Sequence, residues 1–366
     1  QSWPALVAVL IQVESLDRVS AVVSRLSGLP GVSGVGTAGV FIRARVPTES
    51  VGAIAGFPGV VTVSYDAPVH IGASPSIIDP LYGEFRVSAI EVPVTPGEMA
   101  VRFPLTLPLG LVGAGAWLGR LVTGGKGGWK GPQANVTMVP TGDTVPWMGI
   151  EEADRSIRTK VAVLDTGIVF PHVLLHPSQG LIKAYSVTGE LPADGLGHGQ
   201  WVSTTAFGDG FASRFGKLAG VAPTRGGALL HVKCLSNLGF GSSFGIIKAV
   251  EMAAEHGARV VSMSLGGPQQ GSVEEDPLCQ ALAHYPDVLF VVAAGNEGVG
   301  EDKMGWQIGS PGVSPYAITV GSWSTVYNGP SIFSSRGPSG SWYKTHQEVW
   351  SRDVGKYGDR MIKPDV

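Results

Sequence analysis

Cysteine is nearly absent: Cys234 and Cys279 are the only two in 366 residues. Two thiols cannot build a disulfide framework or a structural zinc site. Cys234, inside the run Leu229-Leu230-His231-Val232-Lys233-Cys234-Leu235, reads as a buried core thiol. Charge is also scarce. Charged residues make up 15% of the chain, the formal net charge is -3, and no block of like charges occurs. That pattern gives no footing for a nucleic-acid partner. Long unbroken apolar runs are missing too. The nearly uncharged stretch from Phe103 to Gly119 is interrupted by Pro104 and Pro108 and flanked by Arg102 and Arg120, whereas a membrane-spanning helix needs about 20 apolar residues. A membrane role is therefore not expected. The first residue is Gln1 rather than Met, which reads as a processed end from which any signal peptide has gone.

What is present is a packed globular chain. Hydrophobic residues reach 44%, and 53 glycines with 26 prolines predict many turns. The length exceeds one typical core, so two domains are expected. Residues 1–72 read as a small α/β unit. Ala5 to Val13 is strand-like, and Ser15 is placed to cap a helix whose Leu16, Val19, Val22, Val23 and Leu26 share one face. Gly28 and Pro30 end it. Val32 to Val35 and Val40 to Val46 read as strands, Thr48 to Ala55 as a short helix, and Val60 to Tyr65 as a last strand. The order βαββαβ predicts a ferredoxin-like sandwich.

Residues 73–141 read as a Gly/Pro-rich apolar insertion or linker. Its Gly124-Gly125-Lys126-Gly127-Gly128 tract lacks the full phosphate-loop pattern. From 142 to 366, short apolar strands (Val161 to Leu164, Leu229 to Leu235, Val260 to Met263, Leu289 to Ala293, Ala317 to Val320) alternate with helical segments such as Ser243 to His256. That alternation predicts an α/β fold, a parallel sheet flanked by helices, with functional groups at the carboxyl ends of its strands.

Three polar residues follow apolar strands or sit in glycine turns: Asp165 before Thr166-Gly167, His198 between Gly197 and Gly199, and Asn296 within Ala294-Gly295-Asn296-Glu297-Gly298. Each alone has a plain structural reading: a helix cap, a surface histidine, a left-handed turn. Together, in this order, they resemble the subtilase family of serine proteases. Further matches are Val260-Val261-Ser262-Met263-Ser264-Leu265-Gly266-Gly267-Pro268, Phe333-Ser334-Ser335-Arg336-Gly337-Pro338 and Lys363-Pro364-Asp365-Val366. The resemblance covers about 142–366. Residues 1–72 resemble the family's inhibitory prodomain by pattern more than by motif, and Thr141 to Ile150 looks like the start of the mature enzyme.

The resemblance implies roles. His198 would take the proton from a serine hydroxyl and return it to the leaving amine, and Asp165 would hold that imidazole. Asn296 would donate to the oxyanion. Ser264, Leu265 and Gly266 would pair with a polypeptide substrate as an added strand, opposite Gly239, Phe240 and Gly241. Gly309 would lie at the base of the S1 pocket. The family's serine, in a Gly-Thr-Ser-Met-Ala segment, is expected beyond Val366, so a C-terminal segment is an expected partner along with the chain's own prodomain as inhibitor. Ser334 and Ser335 match a structural motif, not the nucleophile. No cofactor is required. Calcium has little support: Gly208 to Leu218 lacks the family's Asn-rich pattern, although Asp209 could offer a carboxylate. Gln200-Trp201-Val202 replaces the usual Thr-His-Val, altering the packing behind the imidazole. Gly340 to Arg360, with Trp342, Tyr343 and Trp350, reads as an enlarged loop, either solvated decoration or a contact for substrate or partner. A secreted or cell-surface location follows from the resemblance. The competing reading is a catalytically inactive scaffold of the same fold, or an assembly component.

Overall fold

The computed structural model describes residues 6–71, 159–170, 172, 175, 183–208, 211–213, 216–218, 220–222, 229–298, 308–324, 328–331, 333–337, 343 and 345–366. The insertion expected at 73–141, the start at Thr141 to Ile150 and the carboxylate of Asp209 lie outside them.

The N-terminal unit runs β1 (Leu6–Val13), α1 (Leu16–Ser27), β2 (Ser33–Ala38), β3 (Phe41–Pro47), α2 (Val51–Ala55) and β4 (Val60–Tyr65). This is the predicted element order. Its strands form one antiparallel sheet in the order β2-β3-β1-β4. Val22 and Leu26 of α1 and Ile54 of α2 are buried against Val9, Ile11, Val13, Ile42, Ala44 and Val46. Each large aliphatic side chain so buried contributes about 1.5–3 kcal/mol, which fixes the face each helix presents. Ser15 occupies the N-cap with extended backbone, but its side chain makes no cap hydrogen bond.

Beyond this sheet, β5 (Pro68–His70) leaves the unit, and the C-terminal unit begins with β6 (Val161–Asp165) and β7 (Lys183–Ser186). Then follow α3 (His198–Phe207), β8 (Phe211–Ser213), β9 (Gly216–Leu218), β10 (Leu229–Lys233), β11 (Phe240–Ser242), α4 (Ser243–Glu255) and β12 (Val260–Met263). The chain closes with α5 (Pro277–Ala283), β13 (Leu289–Ala293), β14 (Ala317–Val320), β15 (Trp323–Ser324), β16 (Gly329–Pro330) and α6 (Gln347–Tyr357). Six strands form a parallel sheet in the order β14-β13-β12-β6-β10-β7. Helix starts follow local chemistry. The Ser242 hydroxyl accepts from the Gly245 N–H at 3.3 Å to cap α4. The Asp276 carboxylate caps α5 at Leu278 and Cys279, with Pro277 opening that helix.

The sheet has two unlike faces. On one, Ala162, Leu164, Leu230, Val232, Val261, Met263, Phe290 and Val292 are buried with residues of α4 and α5. On the other, Val161, Val163 and Leu229 pack with Phe207 of α3. This second face continues onto β13 and β14 as Leu289, Ile318 and Val320, all exposed. Among the described residues nothing covers that end.

Within 340–360, the described residues 343 and 345–360 correct the expectation of a solvated loop. Gln347–Tyr357 is a helix, and Tyr343 is wholly buried, its hydroxyl donating to the Asp353 carboxylate at 2.5 Å. Trp350, Val354 and Tyr357 turn one side of α6 onto Val273, Cys279 and Ile308. Cys234 is a buried free thiol, as expected, and Cys279 is buried and free as well.

Candidate active site

Asp165 is the last residue of β6, and three further candidates follow the carboxyl ends of neighbouring strands. Ser264 comes directly after β12, Asn296 in the turn after β13, and Gly239 in the loop between β10 and β11. His198 enters from one side as the first residue of α3. Its Nδ1 lies 2.8 Å from Asp165 Oδ1, with the carboxylate fully buried and the imidazole only partly so. The same Oδ1 accepts from the Thr166 N–H at 2.7 Å.

Burial pulls the His198 pKa down, but the Asp165 hydrogen bond and the charges of Asp165 and Asp194 more than offset it. The net result is a pKa above the ordinary 6.5. A carboxylate held against Nδ1 leaves Nε2 as the ring's free base, the arrangement a general base needs.

Asp194 organises this corner and was not singled out from sequence. Its Oδ1 accepts from the Leu196 and Gly197 N–H groups at 2.9 and 2.8 Å and from the Thr166 hydroxyl at 2.9 Å. Its Oδ2 accepts from the Gln200 N–H at 2.7 Å. One buried carboxylate thus satisfies the open N-terminus of α3 and ties it to the turn after β6. The Gly199 N–H completes the tie by donating to the Thr166 hydroxyl at 2.8 Å. Gly197 sits at φ +95° and Gly167 at φ +121°; a Cβ on Gly167 would lie 2.7 Å from the Ala193 backbone. Lys233, at the end of β10 and also fully buried, donates to the Thr166 carbonyl and to Asn237 Oδ1, with Glu190 3.2 Å away. A lone Asp or Lys gives little signal in sequence; these matter through partners far along the chain.

The expected cleft walls are occupied by the chain itself. β5 pairs antiparallel with β11: His70 opposite Phe240, Val69 opposite Gly241, Pro68 opposite Ser242. On its other edge the His70 N–H donates to the Gly266 carbonyl and the Gly266 N–H to the His70 carbonyl, both at 3.0 Å. So Phe240 and Gly241 on one side and Gly266 on the other flank one extended strand. Glycine at 241 is required by the chain behind it. A Cβ on Gly241 would meet the Cys234 carbonyl behind it at 2.6 Å, not the incoming strand. The glycine that lets β5 approach is Gly267, where a Cβ would lie 2.7 Å from the Pro68 carbonyl. At Gly239, with φ +80°, the neighbours are Leu196 and Ile71. Gly309 packs on the Gly267 carbonyl, a Cβ there lying at 2.6 Å.

Asn296 donates its backbone N–H to Glu297 Oε2 at 2.8 Å; Glu297 is held by the Ser335 hydroxyl at 3.0 Å, and burial raises its pKa. Ser334 is equally committed, accepting from the Ser322 N–H at 2.9 Å. Neither serine is poised as a nucleophile. Trp201 presents a ring edge to His198, centroids 6.0 Å apart, while staying largely exposed. Beside these loops a cavity of about 230 Å³ is lined by Ser262 to Ser264, Val291 to Ala293 and Val320. Among the described residues no cluster of His, Cys, Asp or Glu could hold a metal ion.

Comparison with known proteins agrees with this geometry. The subtilase family model matches residues 156–354, over half of the chain. Subtilisin DY of Bacillus licheniformis is 33% identical over 220 residues, 58% of this chain and 75% of that protein. The minor extracellular protease Vpr of Bacillus subtilis is 30% identical over 194 residues, 49% of this chain and 23% of Vpr. Pyrolysin of Pyrococcus furiosus is 42% identical over 112 residues, 30% of this chain and 8% of pyrolysin. The chain thus spans less than a quarter of the last two. The parallel sheet, the Asp165–His198 pair and the family match agree: the chain belongs to the subtilase family.

Proposed function

We propose that this chain is part of a serine endopeptidase precursor that hydrolyses polypeptides. The observation that carries the reading is the 2.8 Å hydrogen bond between His198 Nδ1 and the buried Asp165 carboxylate at the head of a parallel sheet. His198 Nε2 takes the proton of a serine hydroxyl as that oxygen attacks the scissile carbonyl, then delivers it to the leaving amine. Asp165 keeps the ring in the productive tautomer. Asn296 offers its side-chain amide to the oxyanion. Ser264 to Gly266 and Gly239 to Gly241 bind the substrate as a strand between two walls, and Gly309 belongs to the pocket for the residue before the cut.

Residues 1–72 act as the inhibitory prodomain. The support is that β5 already lies between both walls, so substrate cannot enter until this strand leaves. The nucleophile belongs to a segment following Val366. The support is the exposed apolar end of the sheet at Leu289, Ile318 and Val320, which an apolar helix would cover. Secretion is the location expected of such a precursor, and the relative Vpr is named an extracellular protease. No helix among the described residues is long and apolar enough to cross a membrane. Expression of the complete reading frame tests the whole reading. Loss of residues 1–72, casein cleavage and fluorophosphonate labelling are expected; a folded, processed product that takes no label would remove it.

A further inference from the structure

One buried imidazole takes no part in this chemistry. His231 sits in the middle of β10, in register with Val163 of β6, fully buried on the face that α3 covers. An aliphatic side chain would fill this place at lower cost, because a buried polar ring is tolerated only when its nitrogens are partnered. Both partners belong to the segments that carry the dyad. The Gly167 N–H donates to His231 Nε2 at 3.1 Å. Because Nε2 accepts, the neutral ring carries its proton on Nδ1, which faces the Ser203 hydroxyl at 3.2 Å. Gly167 is two residues past Asp165, and Ser203 is in the second turn of α3 after His198. At Gly199, an added Cβ would lie 2.4 Å from the Gly167 carbonyl oxygen and 3.1 Å from His231 Cε1. Turn, ring and helix are therefore in direct contact.

We propose that His231 is a positioning residue for the dyad: it clamps the Asp165-Thr166-Gly167 turn to α3 and so holds Asp165 Oδ1 within hydrogen-bond reach of His198 Nδ1. Its effect on turnover rests on the endopeptidase reading; its effect on the Asp165–His198 geometry does not. Burial, with the Lys233 charge adding to it, pushes the His231 pKa down to about 3. The clamp thus stays neutral while His198 titrates.

Two polar substitutions separate the roles of the ring nitrogens. In His231→Gln the longer side chain places an amide oxygen near the position of Nε2, where it can accept from Gly167. In His231→Asn the amide reaches only the position of Nδ1, toward Ser203. His231→Leu removes both. The His198 pKa is read by imidazole NMR on the 1–366 chain, and kcat and KM on the complete reading frame. For His231→Asn and His231→Leu the His198 pKa should fall toward 6.5. Their kcat should drop about 10- to 100-fold with KM nearly unchanged, as misplacement of a catalytic group predicts. His231→Gln should recover most of both. A folded Asn or Leu variant with wild-type His198 pKa overturns the clamp, as does a Gln variant no better than Asn. If the wild-type frame hydrolyses nothing while the His198 pKa still moves in this pattern, the endopeptidase reading fails and the clamp stands.

Discussion

At the scale of single residues, the dyad is tested by Asp165→Asn. An amide can be accommodated in the same space but favours the wrong imidazole tautomer. In the complete reading frame kcat should fall by about 10⁴-fold with the fold intact; a loss of less than about tenfold would exclude the role. Since the His198 pKa lies above 6.5 and only the neutral ring accepts a proton, the acid limb of kcat/KM should have its midpoint above 6.5. A midpoint at or below 6.5 contradicts the geometry. His231 carries a second pH signature, in stability. Above 6.5 the ring is neutral in folded and unfolded chains alike. Between 6.5 and about 3 the unfolded chain binds a proton that the folded chain refuses. Stability is therefore full above 6.5 and falls with pH by up to about 1.4 kcal/mol per unit. Urea midpoints at several pH values should show a shallower acid decline in His231→Gln than in wild type. Asp165 and His198 were legible as a pair because short family patterns surround them. Asp194 and Lys233 were not, since nothing local distinguishes a carboxylate in a glycine-rich loop or a lysine at a strand end from solvated ones. Only folding joins Asp194 and Lys233 to Thr166.

At the scale of elements, the docking of the N-terminal unit is decided by a few polar contacts around an apolar patch. Asp66, nearly fully buried, accepts from the Phe244 N–H at the start of α4 at 2.9 Å and faces Arg43 at 2.8 Å. Glu251 of α4 accepts from the Gly39 N–H at 2.8 Å. Asp66→Ala should weaken docking by about 1–2 kcal/mol, the usual worth of a helix cap or a charged hydrogen bond. Amide exchange of β5 in the intact chain should then quicken about 5- to 30-fold; unchanged exchange would show that the apolar patch alone holds the units together. The strands β12, β13 and β14 were readable to the residue because they are short β-branched runs ended by polar or glycine turns. α6 was missed because Gln347 to Tyr357 is rich in charge. Its signal was the spacing of Trp350, Val354 and Tyr357, a helical stripe that only the neighbouring core makes meaningful.

At the scale of the whole molecule, the parallel sheet is finished on one face and open on part of the other. Exposed Leu289, Ile318 and Val320 form an apolar surface that water should disfavour. The 1–366 chain should bind an apolar fluorescent dye and self-associate more than the complete reading frame does. Equal dye binding by the two would mean that other parts of the chain already cover this surface. The alternation of strand and helix announced such a sheet, but which face lacks cover could not be read from the pattern. It depends on strand order, and β12 lies between β6 and β13 although α5 separates it from β13 in sequence.

The position of His70 has a consequence for what such an enzyme could digest. Main-chain amides on two sides grip the guest, so conformation is screened before side-chain identity. A helix or a paired hairpin cannot offer free backbone groups along both edges. Targets would have to fray first, and susceptibility among proteins would rank by how cheaply a few residues pull loose from their native partners.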